Sequence, residues 1–317
     1  MKARITYRLP NELEVHSYQG MLRDGLIKGA FVFSEFSGEK CWSIVQETES
    51  NSELKLPKRQ KFFEANRSEY EASLKNIIER IKNTDELEKV VFSRNIQEAR
   101  GSKTVVQLFE QLSSNRPSAF VYLLESEQHG IWLGASPEVL IHGEGKSFKT
   151  YSLAGTRPST DSNWTAKEIR EQELVTEYMS HILKDYDPSL NVGKVTERLA
   201  GNVKHLLTEM DFQLESDQLE NLIHELHPTP AVCGLDKTLA LEIIQEMEGY
   251  ERNLYAGFIG PYQVGGSTSL FVNLRCAQLD DERITLFVGG GVTAESIPSS
   301  EWEETELKSQ SIRSLLD

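Results

Sequence analysis

The chain has 317 residues, 38% hydrophobic and 26% charged, which is the balance of a globular protein with ample length for a core. Its net charge of −15 argues against a general nucleic-acid surface and against attraction to anionic membranes, so an anionic ligand must be captured by a local positive site. Cys41, Cys233 and Cys276 lie too far apart for a disulfide framework or a metal motif, and neither a signal peptide nor an apolar run of about 18 residues is visible; the expected compartment is the cytoplasm, with no membrane span.

Residues 1–50 alternate apolar and polar in short runs, such as Arg4-Ile5-Thr6-Tyr7-Arg8-Leu9, and read as strands. A polar connector with Pro57 follows, so residues 1–60 form a short strand-rich portion packed on the same unit as 61–317. From Lys61 to Lys82, Phe63, Tyr70, Leu74, Ile77, Ile78 and Ile81 keep helical spacing. A strand from Lys89 to Ile96 and a helix over 104–112 come next. Strands are expected over 119–124, 130–135, 139–141 and 148–153, then a long helix over 165–183. Strands at 192–198 and 205–214 precede short helices near 217–225 and 238–247. The chain closes with strands at 255–259, 270–278 and 284–288, three glycines, a loop and a helix N-capped by Ser299 or Ser300. Strands fall in hairpin-like runs rather than in strict βαβ alternation, which favours α+β with large antiparallel sheets and outer helices around a central cleft.

The glycine-to-helix stretch concentrates chemistry. Gly289, Gly290 and Gly291 can bring bare backbone N–H groups up to an anion. Glu301, Glu304 and Lys308 share one helix face, whereas Glu303 and Glu306 lie off it as solvated charges. The same face could equally be a capped surface helix with ordinary ion pairs. Glu168 and Glu171 repeat the pattern on the long helix, where Leu174 and Val175 continue the face inward. Buried carboxylates need compensation, which a hard divalent cation would supply; pairing with Lys167 or Arg170 is the plainer alternative. In Lys89-Val90-Val91-Phe92-Ser93-Arg94, alternation sends Lys89, Val91 and Ser93 to one face; burial of Lys89 would lower its pKa toward that of a base, whereas a strand-end lysine reaching solvent is the commoner alternative. Glu138, after Ser136-Pro137 between two apolar strands, would be held rigidly and half buried, which would raise its pKa toward that of a general acid; an ordinary glutamate after a turn is the plainer alternative. Arg275 in an apolar strand calls for a carboxylate partner. His227 before Pro228 is either a donor to a ligand hydroxyl or a turn residue.

Taken together and in this order, these segments resemble the chorismate-utilising enzyme family, together with Leu153-Ala154-Gly155-Thr156-Arg157-Pro158, Leu226-His227-Pro228-Thr229-Pro230-Ala231-Val232-Cys233-Gly234 and Asn253-Leu254-Tyr255-Ala256-Gly257. The resemblance spans roughly residues 61–317. Within the family, Lys89 is similar to the lysine of members that activate water, where ammonia-using members carry glutamine. Ala154 stands where aminodeoxychorismate synthases carry a nucleophilic lysine. The implied activity is that of an isochorismate synthase, an isomerase of menaquinone or siderophore biosynthesis; a salicylate synthase, which goes on to eliminate pyruvate, is the alternative.

The resemblance further implies Lys89 as the base that deprotonates water and Glu138 as the acid that protonates the leaving hydroxyl. It implies Mg²⁺ held by Glu171 and Glu304, with Glu168 and Glu301 touching the metal or standing just behind it. Arg275, Tyr255, Lys308, His227 and backbone N–H groups near Gly155, Thr156 and Gly289 to Gly291 would bind chorismate. A monomer or weak homodimer is expected. Loss of Lys89, Glu138 or a metal glutamate would mark an inactive, scaffold-like member, and none is lost.

Overall fold

The structure, a computed structural model, describes residues 1–46, 54–57, 64–161, 163–200, 203–314 and 316. Strands β1 (Lys2–Arg8), β2 (His16–Asp24), β3 (Ala30–Ser34) and β4 (Cys41–Gln46) precede helix α1 (Arg67–Lys82), β5 (Lys89–Ala99) and α2 (Val105–Asn115). Next come β6 (Phe120–Ser126), β7 (Gly130–Ser136), β8 (Val139–Glu144), β9 (Ser147–Pro158) and α3 (Ala166–Tyr186). Then β10 (Asn191–Val192), β11 (Thr196–Ala200) and β12 (Val203–Gln213) lead to α4 (Leu219–Leu226), β13 (Gly234–Leu235) and α5 (Lys237–Met247). The chain ends with β14 (Phe258–Tyr262), β15 (Ser267–Val272), β16 (Cys276–Leu279), β17 (Arg283–Val292) and α6 (Pro298–Arg313).

Every strand pairing among the described residues is antiparallel, and the pairings form one unbroken path. It runs β13, β5, β17, β16, β7, β6, β1, β2 and β4. From there it passes through β3, β14, β15, β8, β9 and β12, with β10 and β11 on the outer side of β12. The N-terminal strands are therefore inside the path, with β1 on β6 and β3 on β14. The largest apolar cluster joins Ile5, Phe31, Phe120, Leu140, Ala154, Val175 and Phe271, so side chains from both ends of the path meet in one core.

Helices cover the outer faces. Asn66 caps α1 in a reciprocal capping box with Glu69, and Tyr70, Leu74, Ile77 and Ile81 bury one stripe onto Val90 and Phe92 of β5. Leu174, Val175, Met179 and Leu183 do the same for α3, which lies along β9 and β12. This is the α+β architecture expected. The expected start of the first helix at Lys61 to Phe63 lies outside the described residues.

Four local expectations change. The strand expected at 255–259 begins only at Phe258, because Asn253 and Ala256 take positive φ of 50° and 61° and turn the chain first. The strand expected over 270–278 is two: φ of +49° at Arg275 breaks it, and the chain crosses from β8 and β14 to β7 and β17. The strand expected over 284–288 runs on through the glycines to Val292, with Gly289, Gly290 and Gly291 opposite Ser93, Phe92 and Val91 of β5. Helix α6 takes Ile297 as N-cap with Pro298 in its first turn, rather than Ser299 or Ser300, since proline is preorganised for that position.

Candidate active site

One cleft, with an empty volume of about 680 Å³, collects most of the singled-out residues. Glu138, Gly155, Thr156, Glu171, Tyr255, Arg275, Gly289, Gly290, Gly291 and Lys308 line it, and so does Ala154. They come from separate parts of the fold: the β7–β8 turn, the end of β9, the first turns of α3, the α5–β14 connection, the β15–β16 break, the end of β17 and the middle of α6. That size and mixed lining suit a small polar ligand.

The glycines make room for charge. A Cβ on Gly291 would stand 2.2 Å from Glu171 Oε1 and 2.7 Å from Lys89 Cε. A Cβ on Gly290 would stand 3.2 Å from both Glu301 Oε2 and Glu304 Oε1. The three residues thus form a bare strip of strand over which four charged side chains converge. This role adds to the backbone N–H groups expected of them.

Lys89 is 0% exposed, on the strand face that alternation predicts, and its Nζ lies 3.0 Å from Glu171 Oε1. The pair is close but not aligned as a regular hydrogen bond. Burial alone would raise the Glu171 pKa; Lys89, then Lys167 and Lys308, hold it below the ordinary value. Across the α3–α6 contact, Lys167 Nζ donates to Glu301 Oε1 at 2.5 Å. Burial works against the charge on Lys167, but Glu301, Glu171 and Glu304 together raise its pKa. Glu301 is itself pushed up to about 7, by burial first and by neighbouring Glu304 in part, with Lys167 opposing. Lys308 Nζ donates to Glu304 Oε1 at 2.6 Å and to the Gly289 carbonyl at 2.8 Å, tying α6 to β17.

Glu138 faces this cluster from the β7–β8 turn. Burial raises its pKa to about 8, with the charges of Lys89 and Lys308 pulling the other way. It therefore carries a proton at neutral pH. Its backbone is fixed at both ends: N–H to Ser136 Oγ at 3.2 Å and carbonyl to Val272 N–H at 3.0 Å.

Arg275, placed by the break between β15 and β16, has no carboxylate in ion-pair range among the described residues, contrary to expectation. Nη1 donates to the Lys308 carbonyl at 3.2 Å and Nη2 stands 3.4 Å from His205 Nε2. Desolvation lowers its pKa to about 10, so it keeps its charge and faces the cleft in want of an anion. His205 was not anticipated. Burial and the charges of Arg275 and Lys308 hold its pKa well below normal, so the ring is neutral. Nδ1 lies 3.1 Å from the Gly155 carbonyl and 3.2 Å from Thr156 Oγ1, which assigns the proton to Nδ1 and leaves Nε2 to accept from Arg275. The only hint in the sequence was a histidine at the start of an apolar strand. Tyr255 is buried against Phe287, and burial raises its pKa.

Lys89, Glu301 and Glu304 are not themselves among the cleft walls but stand against Gly291 and Gly290, which are; two further expected residues, His227 and Glu168, are drawn elsewhere. His227 turns its Nε2 to the Phe36 carbonyl at 3.1 Å and packs edge-on against Phe258; burial lowers its pKa to about 3, and it is absent from the cleft walls. Its position does not match the expected ligand contact. Glu168 is the third residue of α3 and turns back to the helix start, where Thr165 N–H and Oγ1 both donate to it and Arg157 approaches at 3.4 Å. Capping thus draws it away from the carboxylates expected to join it. Arg170 is also off-site, among Glu88, Glu173 and Glu177 on the exposed face. Glu306, expected to be merely solvated, holds the buried Arg94, which stacks over Trp302 at 3.7 Å.

Among the described residues no three His, Cys, Asp or Glu side chains are already grouped around one point. Lys89, Lys167 and Lys308 each hold one carboxylate instead. The donor set nevertheless fits Mg²⁺, which takes hard oxygens and usually one or two protein carboxylates, with waters and ligand oxygens completing the octahedron. Glu301 Oε2 is buried beside Gly290 without a hydrogen bond of regular geometry, although Ser296 lies near enough to ease its charge.

The matched sequence profile is that described as "Chorismate binding enzyme", and it covers residues 33–317; the chain belongs to that family. It is 32% identical over 243 residues to isochorismate synthase EntC of Escherichia coli (strain K12), a match covering 71% of this chain and 61% of that protein. The vibriobactin-specific isochorismate synthase of Vibrio cholerae is 31% identical over 241 residues, with the same coverage of 71% and 61%. The chain thus spans about three-fifths of the length of these curated relatives. In fold it superposes on a putative 2,3-dihydroxybenzoate-specific isochorismate synthase, DhbC, of Bacillus anthracis. That match has a TM-score of 0.83 at 24% identity, covering 98% of this chain and 95% of the other. No helix of the described residues is long and apolar enough to cross a membrane.

Proposed function

We propose that this chain is a Mg²⁺-dependent isochorismate synthase, converting chorismate to isochorismate. The observation that carries the reading is a buried Lys89 directly behind Gly291 of the cleft wall, with a protonated Glu138 in that same wall, the Glu138 pKa being near 8. With its own proton first released to solvent, Lys89 takes a proton from water as the water oxygen bonds to C2 of the ring. The ring double bonds shift, the C4–O bond breaks, and Glu138 gives its proton to the departing hydroxyl, which leaves as water. One water enters and one leaves, so the net reaction is an isomerisation. Proton exchange with solvent then restores Lys89 and Glu138. Acid–base assistance of this kind typically contributes ~10²–10⁴-fold in rate.

Binding rests on charge. The chorismate dianion meets Arg275, which lacks a carboxylate partner among the described residues, and Lys308. His205 keeps Arg275 in place and donates toward the β9 end, which fixes the wall formed by Gly155 and Thr156. Glu171 and Glu304, with Glu301 beside them, would hold Mg²⁺, while Glu168 stays at its helix cap. Bound there, the ion supplies charge that anchors the substrate's ring carboxylate. Incubation with chorismate and Mg²⁺, with products separated by chromatography, tests the reading: isochorismate is expected. Salicylate with stoichiometric pyruvate would replace it by a salicylate synthase, and anthranilate formed with ammonium would remove both.

A further inference from the structure

We propose that Arg116, Arg198 and Arg275 form an anion-capture vestibule that receives the dicarboxylate substrate before it enters the catalytic cleft. The proposal rests on the function just given. A second cleft, with an empty volume of about 480 Å³, is walled by these three arginines and shares Arg275 and Pro137 with the catalytic cleft. Pro137 immediately precedes Glu138, so the two spaces meet at the proposed acid and at the substrate-binding arginine.

The arginines are set there by the fold. Arg198 of β11 pairs directly with His205 of β12, and His205 with Thr156 of β9. Directly opposed residues of antiparallel strands share a sheet face, so Arg198, His205 and Thr156 form a row leading to Arg275, which His205 touches. Arg116 ends α2, and its segment is clamped by Arg8, whose guanidinium donates to the carbonyls of Arg116 at 2.7 Å and Pro117 at 2.9 Å. Arg116 lies near enough for its charge to work against that of Arg275.

None of the three makes an ion pair with a carboxylate among the described residues. Their partners are backbone carbonyls, those of Asn115 at 3.3 Å, Ser118 at 3.5 Å and Lys308 at 3.2 Å, and, for Arg275, His205. Three guanidinium groups without carboxylates, on a chain of net charge −15, are a concentrated positive site in a negative field. Such focusing can raise on-rates by ~10–10³-fold and weakens steeply with salt.

The sign of the salt effect separates the two electrostatic regimes without any variant. The association rate of chorismate with the wild-type, Mg²⁺-loaded protein, followed by stopped-flow tryptophan fluorescence, should fall by roughly tenfold or more as ionic strength rises from about 0.02 to 0.5 M. A rate that rises with salt, as repulsion between a −15 protein and a dianion demands, overturns the vestibule. Arg116→Ala with Arg198→Ala should lower the low-salt on-rate at least ~5-fold, raise KM in proportion and leave kcat unmoved, while the double lysine variant restores the rate. An unchanged on-rate in the double alanine variant, or a loss confined to kcat, overturns it too. Chorismate that does not bind at all removes the function and the vestibule together, whereas binding with the wrong salt sign removes only the vestibule.

Discussion

Lys89 Nζ stands 3.0 Å from Glu171 Oε1 at the place where Gly291 has no side chain, and both groups are almost wholly out of solvent. The proposed base and a proposed metal ligand are therefore each other's counter-ion. Removing one partner of a buried pair leaves an uncompensated charge, which costs about 3–5 kcal/mol, whereas removing both can be nearly neutral. Lys89→Met should lower the urea midpoint sharply, and Lys89→Met with Glu171→Gln should recover most of it. Activity should not recover, staying ~10²–10⁴-fold down in kcat as for loss of a general base. A double variant that regained turnover would show that Lys89 serves only to neutralise Glu171.

Glu138 gives a pH signature in both rate and stability. Its folded pKa of about 8 lies above the ordinary 4.5 because of burial. Between those values the unfolded chain has released the proton and the native protein has not, so this group's stabilising contribution is full below 4.5 and lost as pH rises through about 8. Glu138→Gln should flatten that part of the stability-versus-pH curve measured by urea melts. The same proton is consumed in the reaction, so kcat should decline as pH passes about 8, and Glu138→Gln should lose most of the rate together with the limb. A descending limb that persists in Glu138→Gln would assign it to another group.

The strip of glycines makes a graded prediction. Gly291→Ala puts a methyl 2.2 Å from Glu171 Oε1 and 2.7 Å from Lys89 Cε, so the buried ion pair itself must shift to admit it. Gly290→Ala meets only carboxylate oxygens at 3.2 Å, which can yield by a few tenths of an ångström. Overpacking of a tight site costs ~1–3 kcal/mol, so kcat/KM should fall by about 100-fold or more in Gly291→Ala and by about tenfold or less in Gly290→Ala. Equal losses in the two would mean that the glycines act through their N–H groups rather than through space.

Much of this site could be read from residue patterns alone, and the parts that could not share a cause. Period-two alternation puts Lys89 and Val91 on one face of β5, where Val91 lines the cleft and Lys89 meets Glu171, and Val90 and Phe92 on the other, toward α1, because a strand offers only two faces. Helical spacing placed Glu171 inward with Leu174 and Val175 for the same kind of reason. The break at Arg275 was invisible: positive φ at an arginine has no local signal, and the strand on either side is apolar. Partners far apart in sequence were invisible too. Glu306 reads as a solvated charge until Arg94, 212 positions away, is brought beneath it. His227 and Glu168 lie away from the expected places because local geometry claims them, a backbone carbonyl in one case and a helix N-terminus in the other.

That correction to Glu168 separates capping from metal binding experimentally. Ligands that bind only the native state raise its stability by mass action, so Mg²⁺ should raise the melting temperature of the wild-type protein. The shift should vanish in Glu171→Ala and Glu304→Ala, whose oxygens converge on the glycine strip. Glu168→Ala should keep the full Mg²⁺ shift from a lower starting point, since loss of its capping box and of its contact with Arg157 costs about 0.5–2 kcal/mol. Lys167→Met tests the same cluster from the other side. Lys167 is a cation already seated on Glu301, with Glu171 and Glu304 nearby, so it competes with a metal ion for their charge. Its removal should increase Mg²⁺ affinity in calorimetric titration by about tenfold, a gain of roughly 1.4 kcal/mol. Weaker binding in Lys167→Met would instead make Lys167 a support that orients Glu301, and a Mg²⁺ shift lost in Glu168→Ala would return that glutamate to the metal.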